Sequence, residues 1–152
     1  MTATLRRILE KMRVFVDTSA FYALADEDDQ YHHQAEECYS SIMARERLVT
    51  TDHILVECWF LIGSRLGRRA AIEFWDGLRS GIVEMITAGA QDLERAREII
   101  ERFPDQGFSL VDAASFAVME REGIGTAFAF DPHFQVYRFG ERNRQYFRVI
   151  PG

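Results

Sequence analysis

Residues 14–21, VFVDTSAF, set an apolar run against an acid and two hydroxyls. Val14, Phe15 and Val16 are residue types that fill a strand covered on both faces, and Asp17 follows at its carboxyl end. An aspartate in that place has two readings. It accepts backbone N–H groups and starts the next helix, or it is one of several carboxylates gathered around a metal ion. The choice depends on where the other acids fall relative to the other strands.

Outward from this stretch, strand and helix alternate. Residues 13–17 read as a strand and 19–25 as the opening of a helix. Residues 30–47 carry Ala35, Cys38, Tyr39 and Ile42 on one helical face. A second strand is expected at 47–52, a largely buried helix at 53–66, and after Gly67 an amphipathic helix at 68–78. A third strand at 81–87 and a helix at 91–103, stopped by Pro104, come next. The helix at 108–122 ends at Gly123, and strands at 125–131 and 145–150 complete the series. Strands separated by helices imply an α/β fold: a parallel sheet of about five strands flanked by helices, in a single domain.

The bulk properties agree. A chain of 152 residues with 47% hydrophobic content suits one globular domain. No apolar stretch approaches the roughly 20 residues of a membrane span, and the N-terminus lacks a secretory leader pattern, so a cytoplasmic protein is expected. Cys38 and Cys58 lack paired-ligand spacing and read as reduced packing residues. The net charge of −6 argues against a protein that coats nucleic acid passively. It does not argue against an enzyme that reaches phosphate through a divalent cation, which takes oxygen ligands. Residues 1–11 precede the first strand and read either as a short amphipathic helix on the surface or as an extension outside the domain, which would span 12–152.

Four acids stand out. Asp17 and Asp131 sit at strand ends, where open α/β sheets gather ligands. Asp131 followed by Pro132 also matches a helix N-cap with proline in first position, and Ser19 matches a cap as well. Asp112 lies three residues after Ser109, the spacing of a capping box, yet it also heads the inward row Asp112, Phe116, Met119. Glu57 interrupts the apolar run ILVECWFLI and one buried face of its helix; an unpaired charge there would cost several kcal/mol, roughly. Arg65, two turns on, is one partner for it; a shared metal ion is another. Four converging carboxylates would repel one another, and a divalent metal removes that difficulty. Thr18 and Ser19 add hydroxyls suited to orienting a carboxylate or a water.

The other polar residues carry less. His32, His33, His53 and His133 show no zinc spacing, and the His32–His33 pair reads as solvated at a helix start. Arg138, Arg142, Arg144 and Arg148, interleaved with Tyr137, Phe139 and Tyr146, make a local positive patch suited to phosphate contact or base stacking. There is no glycine-rich phosphate loop.

In order and spacing, MRVFVDTSAFYAL, LVECWFL, FSLVDAASFAVMEREGI and TAFAFDPHF resemble the PIN-domain proteins, most of all the VapC-like toxins of prokaryotic toxin–antitoxin pairs. The resemblance runs from about Met12 to the C-terminus. It implies a Mg²⁺- or Mn²⁺-dependent endoribonuclease whose acidic set falls on Asp17, Glu57, Asp112 and Asp131, with Ser19 as the accompanying hydroxyl. It also implies homodimers and a small antitoxin that blocks the site. Two other readings stand beside it. A Mg²⁺-dependent phosphatase with an aspartate nucleophile would place a second acid where Ser19 stands. A catalytically silent PIN scaffold would bind RNA or a protein and keep no need for four acids.

Overall fold

The computed structural model describes residues 1–5 and 12–152. Five parallel strands form one sheet in the order β3-β2-β1-β4-β5. They are β1 (Arg13–Val16), β2 (Arg47–Thr51), β3 (Val83–Ile86), β4 (Thr126–Phe128) and β5 (Arg148–Ile150). The helices between them are α1 (Thr18–Ala25), α2 (His32–Ile42), α3 (Asp52–Leu66), α4 (Arg68–Arg79), α5 (Ala90–Arg102), α6 (Leu110–Glu122) and the single turn α7 (His133–Val136). This is the α/β architecture expected from the sequence. Among the described residues, no helix is long and apolar enough to cross a membrane.

β1 is the centre of the core. Val14, Phe15 and Val16 are all buried, because alternate side chains meet helices on opposite faces of the sheet. Phe15 packs toward Phe134 of α7, which in turn meets Phe116 of α6 edge-on. Val14 looks the other way, toward Cys38 and Ile42 of α2. α6 is buried along nearly its whole length, from Asp112 to Met119, so it is the central helix of its layer. Gly123 ends it in the left-handed region at φ 68°, as its place in the sequence suggested.

The strand order also locates the site. The chain runs outward from β1 to β2 and β3, then crosses back to β4 and β5 on the other side. β1 and β4 therefore flank the point where the winding reverses, and a crevice opens beyond their carboxyl ends.

Several boundaries differ from the sequence reading. The helix expected over 30–47 stops at Ile42, and a turn through residues 43–46 frees Arg47 to pair with Arg13 in the sheet. The third, fourth and fifth strands are shorter than their apolar runs, since only Val83–Ile86, Thr126–Phe128 and Arg148–Ile150 find partners. The first helix begins at Thr18, and Asp17, not Ser19, is its N-cap. The expectation for residues 1–11 falls largely on residues outside those described.

Candidate metal centre

Asp17 ends β1 and caps α1 with an extended backbone, so its carboxylate turns back over the helix start. Its Oδ2 accepts the Ser19 N–H at 3.1 Å and the Ser19 hydroxyl at 2.6 Å. The Ser19 oxygen itself accepts the N–H groups of Phe130 and Asp131, at 2.9 and 3.2 Å. One hydroxyl thus fastens the tip of β1 to the loop beyond β4. With its single proton given to Asp17 and two amides pointing at its oxygen, Ser19 is fully committed.

Asp131 lies in that loop, and its Oδ1 accepts the His133 N–H at 2.9 Å. Pro132, not Asp131, is the residue that precedes α7, so the expected cap is displaced by one position. Asp112 enters from α6. Its Oδ2 accepts the Ser109 N–H at 3.1 Å, closing the capping box, and meets His133 Nδ1 at 2.8 Å. Both roles foreseen for this residue are present together: the carboxylate caps its own helix and faces the strand ends. His133 Nδ1 is also 3.5 Å from Asp131 Oδ1. Asp112, Asp131 and His133 bring three ligand atoms within 4.8 Å of one another.

Electrostatics ties Asp17 and Glu57 to the same cluster. Burial pushes the Asp17 carboxyl up to about 7, and the charges of Asp112 and Asp131 add to it; the Ser19 bonds only partly offset them. Burial also raises Glu57, again with Asp112 and Asp131 contributing, and Asp131 rises for the same reasons. Burial alone would lower the His133 imidazole, but its hydrogen bond to Asp112 and the charges of Asp131, Asp112 and Asp17 outweigh that and raise it. His133 is thus the one basic side chain seated among these acids within the described residues.

Glu57 stands slightly apart. It is half-buried on α3, and Arg65 does not reach it; that guanidinium lies over the Tyr22 ring, 5.1 Å from its centroid. Thr18 lies beside Glu57 and eases its ionisation, yet forms no bond of ordinary geometry with it. Thr18 Oγ1 is the single buried side-chain polar atom left without a partner among the described residues.

The donor set suits a hard divalent cation: carboxylate oxygens in excess of positive charge, plus an unused hydroxyl oxygen at the same strand tip. His133 is the residue that zinc-spacing arguments passed over. Its signal was present as an Asp-Pro-His run at a strand end, a turn that aims the third residue back at the acid. The His32 reading also needs correction. Its ring is partly buried, with Nδ1 2.7 Å from the Ala23 carbonyl and Nε2 2.6 Å from Glu36.

A parallel α/β sheet with Asp112, Asp131 and His133 gathered beyond its switch point, and Asp17 and Glu57 close enough to feel the charge of those acids, defines a class of acidic-site proteins. The PIN-domain family profile matches residues 14–140, and the chain belongs to that family, as a VapC-like member. It is 37% identical over 128 residues to the 23S rRNA-specific endonuclease VapC20 of Mycobacterium tuberculosis, covering 84% of this chain and 96% of that one. It is 30% identical over 139 residues to the ribonuclease VapC26 of the same species, covering 91% and 100%. The crystal structure of VapC20, described as a sarcin–ricin-loop-cleaving toxin, superposes with a TM-score of 0.78 and covers 84% of this chain and 97% of that one. VapBC2 of Rickettsia felis, bound to a DNA fragment from its promoter, shares the fold at a TM-score of 0.66 and 11% identity, covering 91% and 98%.

Proposed function

We propose that the protein is a Mg²⁺- or Mn²⁺-dependent endoribonuclease, the toxin of a toxin–antitoxin pair, acting on RNA in the cytoplasm. The observation that carries this is the convergence of Asp17, Asp112 and Asp131, with Glu57 beside them, without an arginine or lysine among the described residues to neutralise them. The names of the two curated relatives, an endonuclease and a ribonuclease, support the reaction class.

Asp17, Glu57, Asp112 and Asp131 would hold the cation, with Ser19 keeping Asp17 in position. A divalent ion so held supplies charge stabilisation at a phosphodiester and lowers the pKa of a water. The chain's own contribution is positional. Ser19 locks the β1 tip against the β4 loop; the Ser109 amide fixes Asp112; the His133 amide fixes Asp131. His133 sits where it balances the carboxylates when the cation is absent, its Nδ1 2.8 Å from Asp112 Oδ2.

Exposed apolar side chains on α3 and α4 suit protein partners: Val56 and Phe60 are 67% and 73% exposed, with Ile72 and Trp75 nearby in sequence on α4. We assign this surface to a homodimer contact and to a small antitoxin that masks the site. The phosphatase reading has no support in a site where Ser19, bonded to Asp17 and two amides, occupies the second acid's place.

Incubation of the purified protein with 23S rRNA, a structured hairpin and an unstructured oligonucleotide, each with Mg²⁺, Mn²⁺ or EDTA, tests the proposal. Cleavage with either metal and none with EDTA is expected. RNA binding without cleavage under every condition would support the silent scaffold instead.

A further inference from the structure

The connection that follows α7 carries Arg138, Arg142 and Arg144, with Glu141 the single acid among them, in a chain of net charge −6. The arrangement differs from the alternating surface read from sequence. Tyr137 is wholly buried, stacked on Phe116 with centroids 4.4 Å apart, and Phe139 is packed on Phe147. These aromatics are the root of the loop. They continue the wall of the acid cluster, since Phe108 meets both His133 and Tyr137 edge-on.

What remains outside is positive. Phe139 and Gln145 exchange two backbone hydrogen bonds, at 3.1 and 3.0 Å, and pinch the loop at its base. Arg102 of α5 holds its far side by donating to Asn143 Oδ1 at 3.0 Å. Arg138 donates to the carbonyls of Gln135 and Tyr137 and lies 5.0 Å from the centroid of Tyr146. Tyr146 is 67% exposed. Arg142 and Arg144 are exposed and form no ion pair among the described residues. Arg142 sits in the left-handed region at φ 57°, a conformation glycine adopts more readily, so the chain keeps an arginine at the tip against its backbone preference.

We propose that residues 138–146 form a second RNA-contact surface, in which Arg142 and Arg144 bind backbone phosphates and Tyr146 stacks on a base. This rests on the nuclease reading and adds to it the means by which an acidic protein holds a polyanion. Guanidinium groups match phosphate oxygens in pairs, and an exposed ring with a cation against it is a stacking platform for any base. The surface lies outside the acid cluster, so it contributes to substrate capture rather than to bond cleavage.

The test uses the full chain. Binding of a fluorescein-labelled RNA to the Asp17→Asn protein in Mg²⁺ is followed by anisotropy from 50 to 200 mM KCl, with and without Arg142→Gln plus Arg144→Gln. The double substitution should weaken binding about tenfold and flatten the slope of log K against log salt by roughly 1 to 2, at 0.7–0.9 per phosphate lost. In the cleavage-competent chain it should raise KM and leave kcat within about twofold, the signature of lost uniform binding. Tyr146→Ala should weaken binding of single-stranded RNA without changing the salt slope. Arg142→Gly should bind RNA less tightly while melting at the same temperature or higher, which separates lost contact from lost folding. A parent that cleaves RNA beside a double variant with unchanged KM and salt slope overturns this proposal alone. A parent that neither binds nor cleaves any RNA overturns the nuclease reading and this proposal with it.

Discussion

Asp92 and Asp112 occupy equivalent places in successive helices, and the molecule treats them oppositely. Each is the third residue of its helix, each is buried, and each reaches back to an N–H that precedes the helix: Gly89 at 3.0 Å and Ser109 at 3.1 Å. α5 and α6 lie as an antiparallel hairpin, so Asp92 faces the end of α6 and meets Arg121. The guanidinium grips both carboxylate oxygens, at 2.9 and 3.0 Å, and holds Asp92 below the usual carboxylate range. Asp112 faces the other way, toward Asp17 and Asp131, with only an imidazole to balance three acids. The same local motif serves a completed structural pair in one case and an unfinished charge cluster in the other. Only the residue across the gap separates them.

Replacing each aspartate by asparagine is the strongest way to break this comparison, because the amide keeps the cap and removes the charge. Asp112→Asn should lower RNA cleavage by ~10²-fold or more, as expected where charge placement carries the rate. Its metal-free form should melt at the parent's temperature or above it, since one source of repulsion is gone. Asp17→Asn should behave alike, and Mg²⁺ should stabilise either variant less than the parent. An active Asp112→Asn protein with the parent's Mg²⁺ response would reduce Asp112 to a cap and remove the contrast with Asp92.

The pH dependence of the metal-free protein sharpens it. Asp17 rises from 3.8 to about 7 on folding, so between those values the native state binds more protons than the unfolded chain. Stability therefore falls as pH rises through that window, by at most roughly 4 kcal/mol from Asp17 at 1.36 kcal/mol per unit. Glu57 and Asp131 are raised too and act in the same sense. So does His133, whose stabilising bond is present below its ordinary pKa and lost as pH climbs through the raised one. Asp92, lowered by Arg121, acts in the opposite sense, its contribution disappearing as pH falls below the ordinary carboxylate range. Thermal melts in EDTA from pH 4.5 to 8.5 should show declining stability, and Mg²⁺ should flatten the decline because it favours the ionised acids. A metal-free melting temperature that rises steadily over this range would contradict the uncompensated cluster.

Asp92→Asn should give the converse of Asp112→Asn. It removes one charge from the pair with Arg121, whose side chain is 44% exposed and can turn to water, so the loss is smaller than for a wholly buried pair. A fall of about 1–3 kcal/mol in stability is expected, read as a lower denaturation midpoint, with cleavage per folded molecule unchanged. Loss of activity without loss of stability would mean that Asp92 also serves the site.

The same pair of residues explains how far the sequence could be read. Alternation of strands and helices is written in local periodicity, and the parallel sheet follows from it; element ends do not, because pairing partners decide them, as at Ile42 and Val83. The position of an acid at a strand end is local information too, so Asp17 and Asp131 could be singled out. The capping box at Asp112 was legible, but not whether a cation would stand opposite it, since that depends on how α5, α6 and the β4 loop meet in space. His133 was missed for that reason: its chemistry comes from Asp112, 21 residues away, and not from a neighbouring ligand. Tyr137 was placed on the surface because aromatic–basic alternation looks alike whether the ring faces a groove or fills the core.

The smallest effect is expected from removing residues 1–11. Among the described residues sheet bonding starts at Met12, whose carbonyl accepts the Arg47 N–H at 2.9 Å, one residue before the first Arg13–Arg47 pairing. Residues 1–5 are exposed, and among the described residues none before Met12 contacts the acid cluster or the Asp92–Arg121 pair. We propose Met12 as the start of the domain. A chain beginning there should melt within a degree or two of the longer one, keep its cleavage rate, and keep both the Asp112 and Asp92 phenotypes. The two lengths are compared by thermal melts with and without Mg²⁺ and by cleavage of one RNA. A clear drop in melting temperature in EDTA would put residues 1–11 inside the fold. A drop confined to cleavage would tie them to the acid cluster rather than to the Asp92–Arg121 end, and the contrast between the two aspartates would then extend to the chain's first residues.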